Sequence, residues 1–366
     1  MRNRYKCTCL LAMLFSALVL ASCSTDISHE LEMGKNAFYN NKDVMAKNKF
    51  KKCADMGDSQ GQFWLGYITH VLNGHYSETD SLAMTEEERG KYVFDLFQKS
   101  ASQGDGDGCW GLYNCYMRGI GVVKDEKKAA DYLDKSVELN SSWGYADKGG
   151  ELILKNQVEE GLKLIKKSAD AKNYHGICVL GSCYYAGIGV EKDVNKGIEL
   201  LTESAEHRDY RANSALASLY FSGIDNIEPD YNKAFKYAQK GNYDGKTEYI
   251  LARCYILGSG VEKNIDRGAY HARCSAELGF VLGQTLWASC CVDGYGTMQD
   301  AVKYYQMAAE QGDIIATARL GKIYLKGTAG VINYTKAKKY LRKAASQGNE
   351  EAKELLERNY YLLNYY

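Results

Sequence analysis

Few residues of this chain combine the type and the spacing that catalysis or ligand binding requires. Three Gly-x-Gly pairs, which begin at Gly119, Gly187 and Gly258, resemble a phosphate loop, but none continues into x-x-Gly or Gly-Lys-Ser/Thr. Asp105-Gly-Asp107-Gly resembles part of a calcium loop but lacks the distal Glu, which favours an ordinary turn. The six His are scattered, and no Cys or His cluster has metal-ligand spacing. We therefore predict no catalytic residue, no metal site and no cofactor.

The amino terminus carries the clearest chemical signal. Basic residues precede an apolar run over 10–20, which is too short to span a bilayer and ends in Leu20-Ala21-Ser22-Cys23. This pattern resembles the bacterial lipobox, which implies removal of residues 1–22 and lipid attachment to Cys23. The alternative is an ordinary signal peptide with a chance cysteine. The resemblance implies a lipidated tether over 23–35 and a cell-envelope location, and Ser24 favours the outer membrane, with the periplasmic or surface face open.

Composition limits the class of partner. The chain has 366 residues, 46 basic and 46 acidic, so its net charge is zero and nucleic acid is not an expected partner. One Pro and 36 Gly favour a mostly helical chain with Gly at its turns. After residue 22 nothing is apolar enough to cross a membrane.

The chain contains an internal sequence repeat, and the Gly-x-Gly pairs recur with it. A Leu-x-x-x-Tyr-x-x-Gly pattern recurs, with its Gly at 119, 187, 223, 258 and 327 and a looser occurrence ending at Gly294, at steps close to 36 residues or twice that. A Lys-Ala half-pattern and a small-residue pair follow each occurrence. Apolar residues at i, i+3 and i+4 predict two helices per unit, with Gly ending helix A. Asp125, Asp193 and Asp230 are the predicted N-caps of helix B.

The chain resembles the Sel-one-like repeats, relatives of tetratricopeptide arrays. The last unit, 316–351, carries nearly the whole pattern, including Leu320-Gly321, Lys336-Ala337 and Gln347-Gly348. The resemblance implies an all-α, right-handed α-solenoid of antiparallel helix pairs, about nine repeats of roughly 36 residues over 36–351, some degenerate. Residues 352–366 are predicted to form one capping helix.

Three segments depart from the repeat. Residues 142–175 keep helix B but lack Tyr-x-x-Gly, residues 33–58 keep mainly helix B, and an insertion near 73–88 lengthens one loop. The C-terminal tyrosines fit no repeat column and are predicted either to pack in the cap or to form an exposed strip, namely Tyr360, Tyr361, Tyr365 and Tyr366.

The nine cysteines after Cys23 are predicted to be mostly reduced core residues. Four of them share one helix-A column with Leu219 and Ile323, namely Cys115, Cys183, Cys254 and Cys290. Equivalent positions in neighbouring repeats lie about 8–10 Å apart, beyond the reach of a disulfide. One bridge between helices, using Cys274 or Cys109, stays open.

A column of polar residues on helix A is predicted to line a ligand-binding groove. In tetratricopeptide arrays, helix A lines the inner face of the superhelix. The column comprises Asn114, Ser182, Ser218, Arg253, Ser289 and Lys322. The alternative is a solvated helix face. The groove favours a non-enzymatic scaffold for a protein or peptide partner in the envelope. Some relatives are linked to β-lactam hydrolysis, so an envelope enzyme acting on peptidoglycan or β-lactam-like substrates is the alternative, although the chain lacks Ser-x-x-Lys.

Overall fold

The computed structural model describes residues 26–71, 84–223, 228–241, 244–328, 330 and 332–365. These residues form helices joined by short turns, without a strand, as the sequence predicts. The signal segment 1–22, Cys23 and most of the insertion near 73–88 lie outside them. No helix among the described residues has the length and apolar character to cross a membrane.

The chain divides into two compact units. Unit 1 ends at Arg208 and contains α1 (26–39), α2 (Asp43–Asp55), α3 (Ser59–Val71), α4 (Glu86–Ser102), α5 (Gly106–Arg118), α6 (Glu126–Glu138), α7 (Ser142–Leu154), α8 (Val158–Asp170), α9 (Tyr174–Ala186) and α10 (Val194–Glu206). From α3 onwards each odd-numbered helix is a helix A, and the following even-numbered helix B packs against it.

Unit 2 begins at Asp209 and continues the same alternation. It contains α11 (Tyr210–Ser222), α12 (Tyr231–Ala238), α13 (Gly245–Leu257), α14 (Ile265–Glu277), α15 (Val281–Cys290), α16 (Met298–Glu310), α17 (Ile314–Lys326), α18 (Tyr334–Ser346), α19 (Glu350–Arg358) and α20 (Tyr360–Tyr365). A π-helical turn, Cys291–Tyr295, extends α15 and ends helix A of the loosest repeat.

Short-range signals set the ends of these helices. The predicted N-caps are confirmed: Asp125, Asp193 and Asp230 each accept a hydrogen bond at 3.0 Å from the backbone N–H three residues on. The predicted glycine ends are also confirmed, as Gly119 caps α5 with φ +73°. The second glycine of the Gly-x-Gly pair is required for a different reason, namely a close contact with the preceding helix pair. A Cβ on Gly121 would lie 2.2 Å from the Gly90 carbonyl oxygen of α4, so only Gly permits this approach.

Within the units, a glycine-on-serine contact joins several helix pairs to the next pair. The third residue of helix A is often Gly, and it packs on a serine of the preceding helix B. A Cβ on Gly144 would lie 2.1 Å from Ser136 Oγ, and one on Gly283 would lie 1.9 Å from Ser275 Oγ. Small residues therefore allow neighbouring helices to approach closely in both units.

The cysteines behave as predicted. All nine after Cys23 are free thiols, eight of them buried and Cys274 half-buried. Burial raises the pKa of the Cys115 thiol to about 12 and that of Cys290 to about 11. These side chains are thus neutral core residues.

Two boundary predictions need correction, and one degenerate repeat proves to be a complete helix pair. Residues 26–35 were predicted as part of a tether but belong to α1, whose Glu30 forms ion pairs with Lys49 and Lys52 at 2.6 and 2.7 Å. The closing segment is two helices rather than one, because the chain breaks at Asn359 and Leu363 is buried separately. Residues 142–170 form a complete helix pair, in which Asn156 at φ +65° replaces the missing glycine turn.

Tyr360 and Tyr361 are exposed, so these two do not pack in the cap. Tyr366 lies outside the described residues, and so does the side chain of Tyr365.

Candidate functional site

The surface formed by the odd-numbered helices is the candidate site. The second, fifth, sixth and ninth residues of each helix A project from one side of the helix, because these spacings follow the helical period. We call this surface the helix-A face of each unit. The six predicted groove residues all occupy the ninth position and are all half-buried. Asn114 and Ser182 lie in unit 1, and the other four lie in unit 2 on α11, α13, α15 and α17.

Several of the predicted groove side chains bond to their own helix. Asn114 Nδ2 donates to the Trp110 carbonyl at 3.1 Å, and Ser182 Oγ donates to the Cys178 carbonyl at 3.0 Å. Such i−4 bonds satisfy the side chain locally. The presence of a polar ninth residue therefore does not by itself define a groove.

In unit 1 aromatic rings fill the helix-A face. The Trp110 and Trp143 ring centroids are 4.6 Å apart, and Trp143 lies 5.0 Å from Tyr67 and 6.1 Å from His175. All four side chains are buried. Asp147 anchors this cluster, since its carboxylate accepts from Trp110 Nε1 at 2.6 Å and contacts His175 Nε2 at 2.9 Å. The face therefore acts as an internal core in this unit.

Helix α1 completes the closure of unit 1. Phe38 packs on Trp64 and Tyr67, and Tyr39 packs on Tyr174 of α9 with centroids 5.2 Å apart. Arg208, after α10, stacks on the Phe38 ring at 4.6 Å, donates to the Phe38 carbonyl at 2.9 Å and pairs with Asp43. The beginning and end of unit 1 are thus joined directly by side chains more than 130 residues apart in sequence.

In unit 2 the same positions carry smaller or charged side chains. Arg253 of α13 is half-buried, and its Nε is buried without a hydrogen-bond partner among the described residues. Thr285 Oγ1, at the fifth position of α15, is in the same state. Ser289 Oγ bonds to the Thr285 carbonyl at 3.0 Å and to Tyr305 Oη at 2.8 Å. Sequence analysis missed Thr285, although its position in the repeat was available.

The last part of the unit 2 face is basic. Lys322 Nζ lies 2.5 Å from Glu351 Oε1 of α19. This hydrogen bond lowers the pKa of the Glu351 carboxyl, and the charges of Lys322, Arg319 and Lys326 lower it further against the opposing effect of burial. Arg319 is exposed and forms no ion pair within the described part of the chain. The middle and the C-terminal end of α17 therefore contribute several cations to one surface.

No other arrangement of titratable groups forms a second candidate site in the described ranges. His271 Nδ1 contacts the buried Glu248 carboxylate at 2.7 Å, which holds α14 on α13. Among the described residues no group of three or more His, Cys, Asp or Glu side chains is arranged to hold a metal ion. The helix-A face of unit 2 thus stands out for Arg253 Nε and Thr285 Oγ1, which are buried without a hydrogen-bond partner among the described residues.

The fold and this face define a helical-repeat protein of the scaffold class. The Sel1 repeat family matches seven segments that together cover more than half of the chain, namely residues 94–105, 110–141, 175–209, 211–245, 246–280, 283–313 and 314–349. The chain therefore belongs to the Sel1 repeat family, whose members typically act as non-enzymatic scaffolds for protein–protein interaction. The pair α7/α8, which lacks the Tyr-x-x-Gly pattern, lies outside the matched segments.

The solved structures similar to this chain include the following two. One is a protective antigen of uropathogenic Escherichia coli with an SLR fold, at 25% identity and TM-score 0.54, with 93% of this chain and 73% of the other covered. The other is a Sel1 repeat protein from Oxalobacter formigenes, at 24% identity and TM-score 0.49, with 85% and 89% covered. The family and the first of these structures confirm the fold predicted from the repeat.

Proposed function

We propose that this protein is a lipid-anchored scaffold of the bacterial cell envelope that binds a protein or peptide partner through the helix-A face of unit 2. The observation that carries the proposal is the unpartnered, buried Nε of Arg253 on that face. A buried donor without an acceptor is costly, and a ligand that supplies the acceptor removes that cost. The equivalent face of unit 1 is occupied by its own aromatic rings.

The anchor is supported by sequence. Cys23 ends a lipobox-like segment, and α1 is described from residue 26 onwards, so only a few residues separate the proposed lipid from unit 1. A lipid at Cys23 would hold the scaffold at a bilayer and raise its local concentration near other envelope proteins. The outer membrane is the proposed location, based on Ser24.

The anchor is tested by fractionation of cells that express the full chain or its Cys23→Ser variant. We expect the unaltered protein in the membrane fraction, with acyl chains on its N-terminal peptide in the mass spectrum, and the variant without them. An unmodified N-terminus beyond residue 23, or a processed chain in the soluble fraction, would contradict lipid anchoring.

The binding face is tested by a photo-cross-linking amino acid in cells. Leu282 and Ile315 are exposed second-position residues of the unit 2 face, and Leu154 is an exposed apolar residue of unit 1 that serves as the matched control. We expect the same partner to be captured from positions 282 and 315 and not from 154. Equal capture from all three would place binding elsewhere. Turnover of nitrocefin or muropeptides by the purified protein, lost on denaturation, would favour the enzyme alternative.

A further inference from the structure

We infer that the bound segment is acidic, and that its Asp or Glu carboxylates are held by Arg253 on α13 and by Arg319 and Lys322 on α17. This inference rests on the proposed function and specifies the chemistry of the partner. It is carried by the unsatisfied groups of the unit 2 face and by the charge surplus around them.

Arg253 is the first anchor. Its guanidinium is half-buried beside the Cys254 column, and no carboxylate among the described residues pairs with it. The Nε atom is buried with no acceptor. A carboxylate is the acceptor that suits a guanidinium, because two parallel hydrogen bonds form with matched geometry and opposite charge.

Thr285 supplies a second donor by the geometry of the repeat. In unit 1 the ninth residue of α3, Tyr67, meets the fifth residue of α5, Trp110, with ring centroids 6.2 Å apart. Arg253 and Thr285 hold the same two positions on α13 and α15, which pack against each other. The unpartnered Thr285 hydroxyl therefore lies on the Arg253 side of α15, where it can donate to the same carboxylate.

The α17 part of the face already holds one carboxylate. Glu351 sits 2.5 Å from Lys322, and Arg319 and Lys326 act on it through their charges. Asp293 is a further carboxylate near this part of the face, where burial raises the pKa of Tyr305, the charge of Arg319 lowers it and the charge of Asp293 raises it. The face therefore keeps a surplus of positive charge over Glu351 and Asp293. The cations are Arg253, Arg319, Lys322 and Lys326.

The spread of the cations favours an acidic segment over other anions. Helices A of neighbouring pairs lie about 8–10 Å apart, so one terminal carboxylate cannot reach both Arg253 and Arg319. Single-stranded nucleic acid needs free aromatic faces for base stacking. Tyr249, at a fifth position of this face, packs against Phe221 and Phe280 instead. A run of Asp or Glu side chains matches both the spacing and the charge.

The test uses the full-length protein in mild detergent and a fluorescein-labelled, C-terminally amidated peptide of repeating Glu-Ser-Gly triplets. Fluorescence anisotropy gives its Kd, and the same peptide with Gln in place of Glu is the neutral probe. We expect the acidic peptide to bind at least about tenfold more tightly than the neutral one. We expect Arg253→Gln to weaken binding by about tenfold or more, and salt to weaken it steadily.

Two further variants keep the result independent of folding. Glu351→Gln removes the internal competitor of Lys322, so we expect it to tighten binding by several-fold, a change that partial unfolding would not produce. Arg342→Gln, an exposed arginine on helix B α18, is the charge-matched control and should leave Kd unchanged. The melting temperature of each variant checks its fold.

Some outcomes would overturn the inference. Equal binding of the acidic and neutral peptides would do so while the proposed function stands, since the face would still bind peptide. Unchanged affinity in a folded Arg253→Gln variant would also overturn it, and so would tighter binding of an oligouridylate than of the acidic peptide. Absence of both peptide binding and a cross-linked partner would remove the proposed function as well.

Discussion

In unit 1 the second position of helix A carries Trp143 and His175, which are 8% and 3% exposed, whereas in unit 2 it carries Leu282 and Ile315, which are 44% and 56% exposed. The helix pairs beneath these residues are closely similar. Both units contain glycine-on-serine contacts between helix pairs and Asp or Asn caps at helix N-termini, and most of their helices are similar in length. The difference between the units therefore lies in the side chains that the shared frame presents.

This difference separates the frame from its function. Large rings in unit 1 satisfy one another and Asp147, so little bonding capacity is left for a partner. Small and cationic side chains in unit 2 leave Arg253 and Thr285 without partners. The same repeat positions thus serve different roles in the two units. In unit 1 they stabilise the fold, and in unit 2 we propose that they bind a partner. Four predictions test this division.

The largest expected effect comes from the second position itself. Trp143→Ala should destabilise unit 1 by about 3–5 kcal/mol, because it removes a buried ring and leaves a cavity. Leu282→Ala at the same position of unit 2 should cost about 1 kcal/mol or less, since nearly half of the side chain is exposed to solvent. Urea unfolding followed by hydrogen exchange of each helix measures both. Equal costs would show that the two faces are alike.

The contacts that Arg208 makes with α1 and α2 should contribute less to the free energy of unfolding than the aromatic core of unit 1 does. Arg208→Gln removes the ion pair with Asp43 and the contact with Phe38, and we expect about 1.5–3 kcal/mol of lost protection in α1 and α2. Arg273→Gln in unit 2 breaks only an exposed i,i+4 pair with Glu277 and should cost about 0.5 kcal/mol or less. Hydrogen exchange of α1 reports the first change; unaltered exchange would mean that α1 is held without Arg208.

The shared frame should respond equally in both units. Gly144→Ala in unit 1 and Gly283→Ala in unit 2 each place a methyl group within about 2 Å of a serine Oγ and should cost about 1–3 kcal/mol. Gly150→Ala, in the same helix as Gly144 but with open space around its Cβ, should stabilise by about 0.5–1 kcal/mol. Thermal unfolding of the three variants is the measurement. A loss confined to one unit would show that the frames differ.

The smallest expected effect is a pH dependence of the stability with which α1 packs on α2. Hydrogen bonds from Lys49 and Lys52 lower the pKa of Glu30 from the usual 4.5 to about 2. A lowered carboxyl pKa stabilises the folded state above pH 4.5, and this contribution disappears as the pH falls towards 2. Proteolysis at the α1–α2 turn should therefore accelerate over that range in the unaltered protein. Glu30→Gln should cleave faster at neutral pH and show a flatter profile, and a parallel profile would exclude Glu30 as the cause.

Much of the frame was predictable because its signals are local. The glycine ends, the helix-B caps and the buried cysteine column each depend on residues within a few positions of one another, and all three are confirmed. Helix α1 was missed because its polar residues suggested a tether. Ile27, Leu31 and Phe38 mark an apolar stripe at helical spacing that would have revealed it.

The column of ninth-position residues was identified from sequence, but the sequence did not show which of its side chains lack a hydrogen-bond partner. Asn114 and Arg253 occupy the same place in the repeat, yet one bonds to its own helix and the other has a buried atom without a partner. That distinction depends on neighbouring helices. The identities of the fifth-position residues Trp110 and Thr285, rather than the column itself, decide whether the face is filled.

By itself the sequence determined the helices, their caps, their pairing and the buried cysteines, because the repeat encodes each of them over short distances. Only the tertiary structure decided that the helix-A face of unit 1 is closed and that of unit 2 is not. The closure depends on Phe38, Tyr174 and Arg208, which lie far apart in the chain and meet only when the helix pairs are stacked. Periodicity predicts that helices pack, whereas side-chain volume and charge across neighbouring helices decide what their common surface leaves unsatisfied.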